Sequence, residues 1–166
     1  NEIISTIRHL INFEFASPEK YEDINHLVDL YINEYRKKPI NSDILFTLRQ
    51  AQLPLFKINR LILRQIFDNL INNAITQLRN SGNSLKEIIV KTSFLNNSMV
   101  INVSDNGPGI APEILPVIFD PFITTKTDNK NMGLGLTITE QYVRSLNGSI
   151  YAENLDNGAS FTVTIP

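Results

Sequence analysis

Two clusters of residues in this chain have the types and spacing of a ligand site. One reads Val103-Ser-Asp-Asn-Gly-Pro-Gly-Ile110 and the other Asn131-Met-Gly-Leu-Gly-Leu136. The chain has seven glycines, and four of them (Gly107, Gly109, Gly133 and Gly135) fall in these two clusters. Glycine is costly in ordered backbone unless a left-handed angle or a close approach requires it. Two Gly-x-Gly pairs flanking a polar loop therefore point to backbone brought up against a ligand. Residues 100–104 alternate like a strand, which places the Asp105 carboxylate at a strand end. Residues 137–146, after the second pair, read as a helix, and glycine-rich backbone opening a helix offers free N–H groups and a dipole to phosphate. An acidic contact on one side and a phosphate cradle on the other fit a nucleotide. Asn69 and Asn73 form a third candidate group. They lie four apart in a helical pattern, so they project together at the edge of its apolar stripe. Asparagine is a poor helix former, so this spacing reads either as solvated surface or as two carboxamide oxygens aimed at one hard cation.

The elements that must position these groups follow from hydrophobic periodicity. Residues 58–79 carry the longest helical pattern, with Ile62, Ile66, Leu70, Ala74 and Leu78 recurring every four. Ile24, Leu27, Val28, Tyr31, Ile32 and Tyr35 make a second amphipathic helix over residues 21–35. A shorter helical stretch spans residues 2–15. Strands are expected at residues 43–48, 87–94, 99–105, 149–153 and 159–165, with a short extended piece at 54–56. Asn96-Asn97 and Asp156-Asn-Gly158 supply hairpin turns. Residues 111–118 read as a short helix. Residues 123–132, polar and lying between the glycine clusters, read as a mobile lid.

The 166 residues suffice for one well-cored domain. A hydrophobic fraction of 42% with net charge -2 places the chain among globular proteins and gives no argument for nucleic acid or an anionic membrane. Cysteine is absent, which excludes a disulfide framework and a thiolate metal site. No apolar run approaches the roughly 20 residues of a membrane span, and no signal peptide is present. The chain begins with Asn rather than Met, which reads as a piece excised from a longer protein.

The clusters stand in a recognisable order. Asn69-Leu-Ile-Asn-Asn-Ala74 resembles the N box of histidine-kinase ATP-binding domains, and Asp105-Asn-Gly-Pro-Gly109 their first glycine box. Phe119-Asp-Pro-Phe122 is similar to their F box and Gly133-Leu-Gly-Leu136 to their second glycine box. The form Pro121-Phe-Ile-Thr-Thr-Lys126 is most similar to sensor kinases of the nitrogen-regulation type. The resemblance implies an α+β fold of the Bergerat, or GHKL, kind. That is a two-layer sandwich with a mixed sheet covered on one face by helices, and ATP between helices and lid.

The resemblance also implies roles. Asp105 would accept a hydrogen bond from the adenine amino group. Gly107, Gly109 and Ile110 would bring backbone close to the base, and Gly133, Leu134, Gly135 and Leu136 would present N–H groups to the phosphates. Thr125 and Lys126 are implied as lid contacts, with Lys130 a weaker candidate. Asn69 and Asn73 would hold Mg2+, which favours hard oxygen ligands, and they are the residues expected to carry catalysis. Two departures stand out: Thr76-Gln77, where many relatives carry a basic residue on phosphate, and Met132, where small residues are common.

The family's phosphoacceptor is a histidine followed by an acidic residue, on a separate helical hairpin. Neither His9 nor His26 has that context. Residues 1–16 resemble the end of such a hairpin, leaving 17–166 as the catalytic domain. The resemblance thus implies a histidine kinase whose acceptor lies outside this chain. Its partners would be the parent's hairpin and a response-regulator receiver domain. The location would be cytoplasmic whether or not the parent is anchored in a membrane, with no nucleic acid and no membrane contact by this piece. Three alternatives remain: a GHKL ATPase, an anti-sigma-type serine kinase and a non-catalytic nucleotide-binding module. The ATPase branches place a glutamate base where this chain has Asn69, with Asp68 one position off.

Overall fold

The computed structural model describes residues 19–123 and 133–166. The leader over residues 1–16, His9, Thr125, Lys126, Lys130, Met132 and nearly all of the expected lid lie outside the described residues.

Seven strands and three α-helices are described. In chain order they are β1 (Lys20–Glu22), α1 (Ile24–Arg36), β2 (Ile44–Gln50), β3 (Phe56–Ile58), α2 (Arg60–Asn80), β4 (Lys86–Leu95), β5 (Ser98–Asp105), α3 (Gly135–Ser145), β6 (Ser149–Asn154) and β7 (Ala159–Ile165). Five strands form one sheet in the order β2-β4-β5-β7-β6. β2 runs parallel to β4 and the remaining pairs are antiparallel, which makes the sheet mixed. β1 and β3 form a separate antiparallel ribbon.

Alternation along the strands sets the layers. Ile88, Val90, Ile101, Val103, Phe161 and Val163 are buried on one face, where they join a single core with the apolar stripes of α1 and α2. On the other face, Lys91 is exposed and Asn102 bonds the hydroxyls of Ser160 (2.7 Å) and Thr162 (2.8 Å). Among the described residues, helices therefore cover one face of the sheet, as the resemblance implies.

The helix starts follow from capping. Asp23 accepts from the His26 backbone N–H at 3.0 Å, and Asn59 accepts from the N–H groups of Leu61 (2.9 Å) and Ile62 (3.3 Å). These caps correct two expected boundaries. The first helix starts at Ile24 rather than at Tyr21, because Tyr21 pairs with Lys57 in the ribbon. The long helix starts at Arg60 rather than at residue 58. The helix expected at 111–118 shrinks to a 3-10 turn, Leu115–Val117. Pro116 in its middle lacks the N–H that an α-helix needs there.

The turns match the sequence reading more closely. Asn96 and Asn97 both take positive φ (50° and 62°), the type I′ geometry expected of a two-residue hairpin. The 155–158 turn closes with the Leu155 N–H donating to the Gly158 carbonyl at 2.9 Å.

Candidate functional site

α2 connects the candidate residues: Asn69 bonds the first turn of α3, and Gln77 lies beside Gly107 just after β5. Ile62, Ile66, Leu70, Ala74 and Leu78 are at most 3% exposed, so α2 is rotated with that stripe into the core. Asn69 and Asn73 then sit half-buried at the edge of the stripe. Asn72 instead lies on the side toward α1, where it reaches the Tyr35 hydroxyl.

Asn69 links α2 to α3. Its side-chain nitrogen donates to the Gly135 carbonyl at 3.2 Å and to the Thr139 hydroxyl at 3.0 Å. Thr139 in turn donates to the same Gly135 carbonyl at 2.8 Å. With the nitrogen engaged, the Asn69 Oδ1 has no hydrogen-bond partner among the described residues. The Asn73 carboxamide has no hydrogen-bond partner among the described residues. The donor set thus holds two neutral hard oxygens one helical turn apart, a fit to a magnesium ion that also takes phosphate and water oxygens.

The N-terminus of α3 is open. Its N-cap residue, Leu134, supplies no side-chain hydrogen bond to the first turn. The Thr137 hydroxyl in that turn is the one buried side-chain polar atom without a partner among the described residues. Uncapped N–H groups and an orphaned hydroxyl are what an anion-binding helix start requires. Gly135 is exposed, and a Cβ there would meet nothing nearer than the Asn69 Oδ1 at 4.0 Å. Among the described residues, nothing demands glycine at this position.

Asp105 ends β5 at 5% exposure. Its Oδ1 accepts from the Gly107 N–H at 2.9 Å, which folds the glycine loop back over the carboxylate. Burial pushes the carboxyl above the usual carboxylate range, and hydrogen bonds from the Gly107 and Ala159 backbones oppose this only in part. Gln77, one of the positions that departs from the family pattern, lies under this loop near Gly107.

Phe119 packs edge-on against Phe161, with centroids 6.5 Å apart. Phe122 is 54% exposed and takes a positive φ of 67°. Its N–H donates to the Gly133 carbonyl at 3.1 Å, bringing together the two ends of the segment between the glycine boxes. Ile110, Leu134 and Leu136 are partly buried against the core.

Two positions that contact the candidate loop escaped the sequence reading. Gly158, in the β6–β7 turn, has φ +97°, and a Cβ there would overlap the Asp105 carbonyl. Asn154 bonds the Ile110 backbone. The signal for Gly158 was the Asn-Gly turn, read as a turn only. Asn154 had no signal.

Asp68 points away from this site. It accepts from the Tyr35 hydroxyl at 2.9 Å and from Arg64 Nε at 2.8 Å, while Arg64 also binds Glu34 at 2.7 Å. Burial and the Asp68 hydrogen bond push the Tyr35 phenol up, so it stays protonated as a donor. His26 is exposed in the first turn of α1, remote from the site residues in sequence and on a different helix.

Residues 58–166 match the family model described as histidine kinase-, DNA gyrase B-, and HSP90-like ATPase. The C4-dicarboxylate transport sensor protein DctS of Rhodobacter capsulatus is 30% identical over 123 residues, covering 74% of this chain and 18% of that protein. The matched region makes up between 7% and 32% of the length of DctS and similar curated relatives. Among solved structures, the catalytic domain of histidine kinase ThkA superposes with TM-score 0.76 at 27% identity, covering 89% of this chain and 95% of that one. Full-length ShkA in complex with AMPPNP superposes with TM-score 0.77 at 24% identity, covering 90% of this chain and 31% of that one.

Proposed function

The chain belongs to the histidine kinase-, DNA gyrase B- and HSP90-like ATPase family, and from that premise we propose that it works as the catalytic domain of a sensor histidine kinase. It binds Mg-ATP and delivers the γ-phosphoryl group to a histidine on a helical hairpin outside this chain. The observation that carries this reading is the link from Asn69 to Gly135 and Thr139. It sets the cation-side asparagines beside an uncapped helix start. The AMPPNP complex of ShkA, a protein of the same fold, supports ATP as the nucleotide.

In this reading Asp105 accepts from the adenine amino group, and the loop backbone at Gly107, Gly109 and Ile110 lies along the base. The N–H groups at the start of α3 take phosphate oxygens. Asn69 and Asn73 would hold magnesium, which would supply charge neutralisation for the phosphates. The protein contributes position and electrostatics rather than a nucleophile. Residues 17–166 form the catalytic unit, and residues 1–16 the end of the hairpin. The parent presents the hairpin and passes phosphate to a receiver domain on the cytoplasmic side of whatever membrane it uses. No described helix is long and apolar enough to cross a membrane.

The ATPase alternative needs a carboxylate base for water near the N box. Asp68 is the only acidic residue on that turn, and both its oxygens are engaged by Tyr35 and Arg64 on the opposite side. This favours phosphoryl transfer over hydrolysis. The test is titration calorimetry with Mg-ATP, followed by incubation with γ-labelled ATP and a purified histidine-bearing hairpin of a sensor kinase. Micromolar-range binding and an acid-labile label on the hairpin are expected. Absence of nucleotide binding overturns the proposal.

A further inference from the structure

Asn154 closes β6 and is solvent-exposed, yet both ends of its carboxamide are engaged by one residue. Its Oδ1 accepts from the Ile110 N–H at 2.7 Å, and its Nδ2 donates to the Ile110 carbonyl at 2.8 Å. This is the two-bond ring that a paired strand residue makes, here built from a side chain 44 residues along the chain. Asn106 makes a two-bond bridge on the other flank of the loop, spanning two residues rather than one. Its Oδ1 accepts from the Glu87 N–H at 2.8 Å and its Nδ2 donates to the Leu85 carbonyl at 3.0 Å. The segment carrying Gly107 and Gly109 is thus held at both ends by carboxamide bridges to neighbouring strands. Contact with Asn154 extends to Gly109, where a Cβ would stand 3.0 Å from Oδ1 at a φ of +79°.

Two hydrogen bonds made in water add little net stability, because the same groups bond water when unfolded. A two-point contact does fix orientation, since one bond alone leaves a hinge. The backbone it orients is the stretch assigned above to the base. We infer that Asn154 is a positioning residue of the nucleotide site. It holds the 107–110 backbone where that stretch and the Asp105 carboxylate meet an adenine together. The β6–β7 turn, far from the recognised boxes in sequence, is therefore one wall of the base pocket.

This role rests on the nucleotide reading proposed above, and the experiment separates the two. Asn154→Ala and Asn154→Asp are made in the full chain. The aspartate keeps the acceptor for the Ile110 N–H but sets a second oxygen against the Ile110 carbonyl, at nearly unchanged volume. Each variant is titrated with ATP and with GTP, and amide exchange is followed at Ile110. Asn154→Ala is expected to bind ATP about tenfold more weakly, with a comparable drop in preference over GTP. Asn154→Asp is expected to lose at least as much. Amide exchange at Ile110 quickens in Asn154→Ala while the melting transition stays cooperative. A bridge that only stabilises the hairpin would lower the melting temperature and leave base preference untouched. Wild-type affinity and selectivity in folded Asn154→Ala, or in Asn154→Asp if the alanine variant does not fold, overturn this role alone. A wild-type chain that binds neither ATP nor ADP overturns the nucleotide reading and this role with it.

Discussion

The Asn69 amide donates to the Thr139 hydroxyl at 3.0 Å, although 70 residues separate them in the chain. Thr139 is fully buried, so this bond fixes which end of the Asn69 carboxamide faces the site. Thr139→Val keeps the shape of the side chain and removes the hydroxyl. The loss of the hydroxyl's two bonds is expected to cost about 1–2 kcal/mol of stability, read by denaturant unfolding. With Asn69 held by the Gly135 carbonyl alone, Mg-ATP affinity is expected to fall severalfold, while binding of ADP in chelator stays close to wild type. Equal losses with and without magnesium would refute the orientation of Asn69 toward a cation.

Asp105 should trade stability against binding. Its buried carboxylate is held by the Gly107 and Ala159 backbones, which leaves a desolvation penalty on the ionised form. Asp105→Asn removes that penalty and keeps the volume, so the free chain is expected to melt at the same temperature or higher at neutral pH. Nucleotide binding should weaken by ten- to a hundredfold, the loss of a charged acceptor worth about 1.5–3 kcal/mol. Calorimetry on the folded variant reads both quantities.

The same carboxyl gives stability and affinity opposite pH dependences. Its folded-state pKa lies above the unfolded one. The stability it contributes is therefore fully present below the unfolded pKa and is lost as pH rises through the folded value. Adenine recognition needs the ionised acceptor, so ATP affinity rises across that same window, just above the ordinary carboxylate range. Melting curves and titrations stepped through mildly acidic pH should cross in this way, and Asp105→Asn should flatten both.

The parts of this architecture that read directly from the sequence are those set by local pattern. The every-fourth stripe from Ile62 to Leu78 placed α2, and period-two alternation placed the strands that pair as β4, β5 and β7. The glycine pairs and the N-box asparagines marked the site because each is unusual for its local element. Helix starts were harder to read, since Tyr21 continues the apolar stripe of α1 while its backbone pairs with Lys57 in a ribbon. Pro116 was the available signal against a helix at 111–118. The walls of the site were not legible, because Asn154 and Gly158 act on residues 44 and 53 positions earlier in the chain. Local composition cannot reveal which backbone a turn will press against.

Gly158 supplies a prediction from that nonlocal contact. A methyl group there would overlap the Asp105 carbonyl, and the φ of +97° is one that L side chains rarely adopt. Gly158→Ala is expected to destabilise the chain by about 3 kcal/mol or more, and to weaken ATP binding in whatever fraction remains folded. A melting temperature within a degree of wild type would show that the turn relaxes without moving Asp105.

The last prediction separates phosphoryl transfer from hydrolysis. A GHKL ATPase needs a base to take a proton from water. In this chain the position of that base is Asn69, whose amide donates to Gly135 and Thr139. The neighbouring carboxylate, Asp68, is bound to Tyr35 and Arg64 toward α1. His26 is exposed on α1 and is followed by Leu27 rather than by an acidic residue. The chain alone should therefore bind Mg-ATP, hydrolyse it very slowly and remain unlabelled by the γ-phosphate. Adding a histidine-bearing hairpin should produce label on the hairpin. Asn73→Ala should abolish that transfer by removing one of the two cation-side oxygens, while ADP binding in chelator falls little because Asp105 is untouched. Steady hydrolysis by the chain alone would place it with the ATPases. Acid-labile label retained on the chain itself would show that it carries its own acceptor.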